Sequence, residues 1–160
     1  MSHPTTKPEA ILQLEQELGF ELTLVSFGVN TSAWDAKNYA CNQEGDVVQL
    51  NLSKCDLEEV PNLLAFEKLQ DLDLSYNRIS CISGLDKLTD LISLNLWHNQ
   101  LTRVEGLDKL TNLQSLNLSD NQLTRISGLN ELINLQTLDL SDNQLMNITG
   151  LDQLINLQSL

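Results

Sequence analysis

The sequence predicts an α/β fold: a right-handed solenoid of stacked coils, with a parallel β-sheet on its concave face and a helical cap at the N-terminus. Three observations predict it. Asparagines stand at Asn77, Asn99, Asn121 and Asn143, every 22 residues, and glycines keep the same step at Gly84, Gly106, Gly128 and Gly150. Each of those asparagines closes a phrase of alternating leucines: "LQDLDLSYN", "LISLNLWHN", "LQSLNLSDN" and "LQTLDLSDN". The first 45 residues share neither the step nor the phrase.

The head of the chain reads as the cap, residues 1–45. "TKPE" (Thr6 to Glu9) has the form of a capping box with proline in the first turn. A helix is predicted over 7–18, with Ala10, Ile11, Leu14 and Leu18 on one face and Gly19 placed to end it. "FELTLVSF" alternates as a strand does, and "NTSAWDAKNYAC" reads as irregular. A terminal coil without a cap exposes its leucines to water, so Trp34 and Tyr39 are expected to pack on the first coil.

Residues 46–160 are the repeats: five of 22 residues, and the start of a sixth in "LQSL". Because the sequence stops inside an expected strand, it is read as part of a longer chain. In each "LxL" the leucines point to one side of a short strand and the residue between them to the other. One copy cannot bury that leucine face, whereas stacked copies share a continuous core. Each buried leucine then contributes about 1.5–3 kcal/mol. The asparagine stands where the chain leaves the strand, and its amide suits a ladder that satisfies turn backbone from coil to coil. "VVQLNLSKCDL" puts Cys55 in that slot, as a small buried residue with a weak donor. On the return side the glycines make the bend. Asp86, Asp108 and Asp152 follow two residues later and suit the cap of a short helical turn.

The pattern L-x-x-L-x-L-x-x-N/C-x-L at this period is that of the leucine-rich repeat. The 22-residue phrase with "I/VxGL" resembles its short bacterial class. The head, "ILQLEQELGFEL" followed later by "GDVVQLNLSKCDL", resembles the N-terminal region of bacterial Roco-type proteins. That resemblance implies a regulatory arm preceding a Ras-like GTP hydrolase domain beyond residue 160. No phosphate-binding G-x-x-x-x-G-K-[ST] occurs here, so no GTPase residue carries over.

A net charge of −13 disfavours a nucleic-acid backbone or an anionic membrane as partner. Three cysteines, Cys41, Cys55 and Cys81, match neither a disulfide framework nor a zinc spacing, and the polar start lacks a secretory signal. A cytoplasmic address is expected. The same polar start weighs against an internalin-like surface adhesion protein. His3 lies in a polar tail, and Cys81, expected to face inward, gives His98 no thiol to activate. No catalytic residue, metal ligand or cofactor is therefore assigned, and the segment is expected not to be an enzyme.

What remains is binding. Counting each phrase from its first leucine, the third, fifth, seventh and eighth residues are expected to face the concave surface. One coil departs from the series there, with Trp97 and His98 where its neighbours carry Ser119-Asp120 and Ser141-Asp142. An outward Trp beside Tyr76, ringed by polar residues, has the composition of a binding hot spot. The bland reading is repeat drift, with the indole lying flat over its neighbours. The residues predicted to meet a partner are Trp97, His98, Tyr76, Asp71, Asp73, Asn95, Asn117, Asp120, Asp139 and Asp142. The partner is expected to be a protein, or another domain of the same chain, with basic character matching the carboxylates. Arg103 and Arg125 share a register on the descending edge, where pairing with nearby carboxylates is the simpler role.

Overall fold

The structure, a computed structural model, describes residues 6–26, 37–149 and 151–159, so His3, Trp34 and Gly150 lie outside it. It is the solenoid the period predicts, with its parallel strands lining the concave face. The elements run α1 (Glu9–Leu18), β1 (Thr23–Leu24), β2 (Asn38–Cys41), β3 (Val47–Asn51), β4 (Asp71–Asp73), β5 (Ser93–Asn95), β6 (Ser115–Asn117) and β7 (Thr137–Asp139). Among the described residues they form one seven-stranded sheet in chain order. From β3 onward every pairing is parallel and each register step is one repeat: Leu50 faces Leu72, then Leu94, Leu116 and Leu138.

Buried asparagine amides hold the coils together. Asn99 Nδ2 donates to the carbonyls of Leu96 in its own coil and Leu74 in the coil before, at 3.1 and 3.0 Å. Its Oδ1 accepts the Ile79 N–H at 2.9 Å. Asn77, Asn121 and Asn143 repeat these contacts. Cys55 stands where the ladder begins. Its thiol, half-buried, has one proton to donate and gives it to the Ser53 carbonyl. Burial pushes that thiol up to about 11, so it stays protonated at neutral pH.

The return side differs from expectation. In place of short helical turns capped by aspartates, the chain makes successive i→i−3 turns, such as Leu88 N–H to Leu85 O and Leu91 N–H to Leu88 O. Such turns bring every third side chain to one side. Ile79, Ile82, Leu85, Leu88 and Leu91 all point inward and are buried. Cys81 falls between two inward positions and is exposed, contrary to its expected inward orientation. Asp86 and Asp108 lie at the surface beside Lys87 and Lys109. A second amide ladder runs along this side, unread in the sequence: Asn112, Asn134 and Asn156 donate to the carbonyls of Thr89, Thr111 and Ile133. Gly106 takes φ 80°, and a Cβ there would press to 3.4 Å from the Ile82 carbonyl, so glycine serves the bend twice over.

At the N-terminus the helix starts at Glu9, two residues later than predicted, with Pro8 as its N-cap and no side-chain cap bond. Proline drives the residue before it out of the α region, which stops a helix from including Lys7. Lys7 instead bonds Glu15 Oε1 at 2.7 Å and the Leu22 carbonyl at 3.1 Å. Gly19 ends the helix in the left-handed region at φ 75°, as its position predicts. The expected strand in "FELTLVSF" is two residues long within the described chain. The segment read as irregular contains β2, which pairs antiparallel with β3. Its tight return is built by Asn42 Oδ1, which accepts the Glu44 and Asp46 N–H groups, and by Gly45 at φ 93°. Tyr39 is buried against the first coils.

Two outcomes follow. Asn121→Ala strands buried backbone groups in two coils and lowers unfolding free energy by about 2 kcal/mol or more, while Asn112→Ala on the exposed ladder costs less than about 1 kcal/mol, as urea denaturation will read. Glu15 is the second case. Burial raises its pKa, but the Leu22 N–H and the Lys7 ammonium outweigh that and hold the carboxyl below its ordinary value of 4.5. A depressed folded pKa contributes stability above about pH 4.5 that is lost as the pH falls. Thermal melts from pH 6 to pH 3 are expected to show wild type losing its advantage over Glu15→Gln across that range.

Candidate binding ridge on the solenoid

Each strand of the repeats proper is three residues long, and in-out alternation runs only one residue past its end, to the buried leucine at the sixth residue of the phrase. There the chain turns, and the fifth residue caps the turn with its own side chain. Asp73 Oδ1 accepts the Ser75 N–H at 2.8 Å, Asn95 Oδ1 that of Trp97 at 3.1 Å, and Asn117 Oδ1 that of Ser119 at 2.9 Å. Asp139 does the same for Ser141. Four residues predicted to meet a partner, Asp73, Asn95, Asn117 and Asp139, thus each commit an oxygen to local backbone. This is the Asx turn, which Asn and Asp form readily.

The seventh residue then turns under. Ser53, Ser75 and Ser119 are buried, against the expectation that this position faces out, whereas Ser141 is exposed as expected. Trp97 keeps the same backbone contact, but an indole is far too large for the space that a buried serine fills. It emerges half-buried at the edge of the sheet.

The eighth residue follows in the left-handed conformation: Lys54, Tyr76, His98, Asp120 and Asp142 all have φ between 52° and 55°. Asp and His tolerate this region better than most residues, whereas for a bulky Tyr it is strained. Cross-coil bonds hold them there: the Tyr76 N–H donates to the Trp97 carbonyl at 2.9 Å and the His98 N–H to that of Ser119 at 3.1 Å. Five side chains consequently stand in a row across the coils, along the carboxyl edge of the strands.

The row is continuous. The Lys54 ammonium lies 5.2 Å from the centre of the Tyr76 ring. Tyr76 meets Trp97 edge to face, with ring centroids 4.6 Å apart, and His98 at 4.8 Å. His98 Nδ1 sits 2.5 Å from Asp120 Oδ2, both side chains about half exposed, so the pair contributes little to stability. The structure therefore brings together Tyr76, Trp97, His98 and Asp120 among the predicted residues, and adds Lys54. Asp142 continues the row, exposed. Asp71 stands apart on β4, where its carboxylate accepts from Gln49 Nε2 at 3.0 Å. The rest of the sheet face is small and polar, with Ser93, Ser115 and Thr137 in line. On the descending edge, Arg103 pairs with Glu105 at 3.6 Å. Among the described residues no three His, Cys, Asp or Glu side chains are grouped to hold a metal ion, and no helix is long and apolar enough to cross a membrane.

Comparison with known proteins agrees with this geometry. A model of paired leucine-rich repeats matches residues 89–131, and one of the single leucine-rich repeat matches residues 68–88 and 134–157. A solved leucine-rich repeat protein of Leptospira interrogans is 37% identical over 69% of this chain, with a TM-score of 0.66. An internalin of Listeria monocytogenes superposes over 92% of the chain with a TM-score of 0.64, and at 19% identity it shares the fold alone. The chain spans 30% and 48% of the lengths of those two proteins. No curated protein matches the sequence.

The left-handed row sets a conformational test. His98→Gly is expected to leave stability nearly unchanged, while a β-branched residue at positive φ, as in His98→Val, costs about 1–2 kcal/mol in urea denaturation.

Proposed function

We propose that this chain, built of leucine-rich repeats, works as a protein-interaction module whose anchors are Tyr76, Trp97 and His98 at the carboxyl edge of the sheet. The observation that carries the proposal is Trp97 itself. It replaces a buried serine in a series otherwise held closely, and it sits half out of the surface packed edge-on against Tyr76. Paired aromatics with polar surroundings are the composition of interface hot spots, because they bury large area at small cost in rotamer entropy. The sheet face itself offers weaker purchase. Its fifth-row oxygens are engaged in turns, and its third row carries short polar side chains.

The chemistry present supports binding over catalysis. The described thiols include two whose pKa burial raises, at Cys41 and Cys55, and His98 lies against a carboxylate rather than a nucleophile. The regulatory-arm reading, in which the module serves a Roco-type GTP hydrolase, draws no support from matches that are to the repeats alone. The acidic balance favours a partner with basic character and a cytoplasmic setting remains part of the proposal.

The test uses a partner recovered by photo-crosslinking through a probe at position 100, exposed beside the anchors, and then purified. Titrated against it, Trp97→Ala is expected to weaken binding by about tenfold or more, the scale of a hot-spot loss above 1 kcal/mol. Thr111→Ala, far along the repeat on the return side, is the control and is expected to change nothing. Equal affinity for wild type and Trp97→Ala would sink the anchor role.

A further inference from the structure

The ridge has a direction. It begins at Lys54, passes through Tyr76, Trp97 and His98, and ends in two carboxylates, Asp120 and Asp142. Asp139, exposed on the last strand, adds to the acidic end. The remaining acids of this face, Asp71 and Asp73, lie half-buried within the sheet at β4. Positive, aromatic and negative groups therefore succeed one another across the coils.

Their spacing matches an extended peptide. Strands lie about 4.8 Å apart, so Tyr76, Trp97 and His98, Asp120 and Asp142 stand roughly 5, 10, 14 and 19 Å from Lys54 along the row. In an extended chain, side chains on one face recur about every 6.6 Å. A first such side chain over Lys54 puts the second between Tyr76 and Trp97, the third at Asp120 and the fourth at Asp142.

We propose that the ridge takes an extended partner segment, lying across the coils, in which alternate residues are acidic, apolar, basic and basic. The acidic residue meets Lys54, the apolar one packs on Tyr76 and Trp97, and the two basic ones reach Asp120 and Asp142. This rests on the anchor role of Trp97 and adds to it the chemistry and order of the partner's side chains. Charges of this kind at an interface rim act chiefly on specificity and association rate.

The probe is the synthetic peptide Glu-Ser-Leu-Ser-Arg-Ser-Arg with blocked ends, together with its reversed sequence, since either chain direction satisfies the order. The control, Arg-Ser-Glu-Ser-Leu-Ser-Arg, has the same composition and sets an arginine against Lys54 in both directions. Each is titrated into the whole chain while backbone amide shifts are followed by NMR. The ordered peptide, in one direction or the other, is expected to bind about fivefold tighter than the control, with shifts centred on the eighth-residue row. Lys54→Glu is expected to erase most of that preference, and Asp142→Lys and Trp97→Ala each to weaken both peptides alike. Equal binding of ordered and control peptides, or no binding by either, overturns the proposed order. If the ordered peptide is preferred yet Trp97→Ala leaves its affinity unchanged, the charges are right and the anchor role is what fails.

Discussion

The asparagine amide at the ninth residue of each phrase is the constraint on which the rest of the structure depends. A turn that leaves a strand every 22 residues has carbonyls and N–H groups facing the interior, where water cannot serve them. The amides of Asn77, Asn99, Asn121 and Asn143 have both donors and an acceptor, and each spends them on its own coil and on the one before. Neighbouring coils are thereby locked at one separation and one register. The leucines of successive strands then meet as layers, which no single coil could bury.

That lock also decides where variation is tolerated. The backbone bonds of the turn are made by main chain, by the ninth-residue amide and by the fifth-residue Asx cap. None of them uses the side chains at the seventh and eighth residues. Trp97 can stand in for serine because its N–H still reaches Asn95 and its carbonyl still accepts from Tyr76. The eighth residue varies in side chain from coil to coil yet is confined in backbone to the left-handed region. Five side chains of four kinds, Lys54, Tyr76, His98, Asp120 and Asp142, are thus presented in one line without disturbing the coils beneath. A scaffold that separates the bonding positions from the display positions in this way can alter its surface without altering its fold.

The two ends of the described chain show what happens when the lock lacks a partner. At β3 the neighbour below is antiparallel, and the slot holds Cys55, whose thiol contacts one carbonyl where an amide would find a second coil. The cap covers this end by other means: Tyr39 buried between layers, the Glu17 carboxylate on the Asn62 N–H, and the Lys7 and Glu15 pair closing the chain behind the helix. In the last described coil, which has a full described coil on one side only, Ile148 and Leu145 are exposed and half-buried, while their counterparts Ile126 and Leu123 are buried. Core formation here is a property of pairs of coils.

The sequence by itself determined the period, the inward leucines, the parallel register and the amide ladder, because each is repeated at one spacing and repetition makes a local preference unambiguous. It also marked Trp97 and His98, as the one break in the series. Only the tertiary structure decided which outward-looking positions face out. Period-two reasoning fails beyond the sixth residue, where the chain has left the strand, and so Ser53, Ser75 and Ser119 turn under while Asn95 and Asn117 become turn caps. The left-handed eighth residue, hinted at by Asp120, Asp142 and His98, became a row only once residues 22 apart stood side by side. The β2–β3 return was written in Asn42 and Gly45, but outside the repeat nothing reinforced that signal. Contacts such as Lys54 to Tyr76 and His98 to Asp120 join residues that are distant in the chain and adjacent only through stacking, which is why local pattern could propose the anchors but not their order along the ridge.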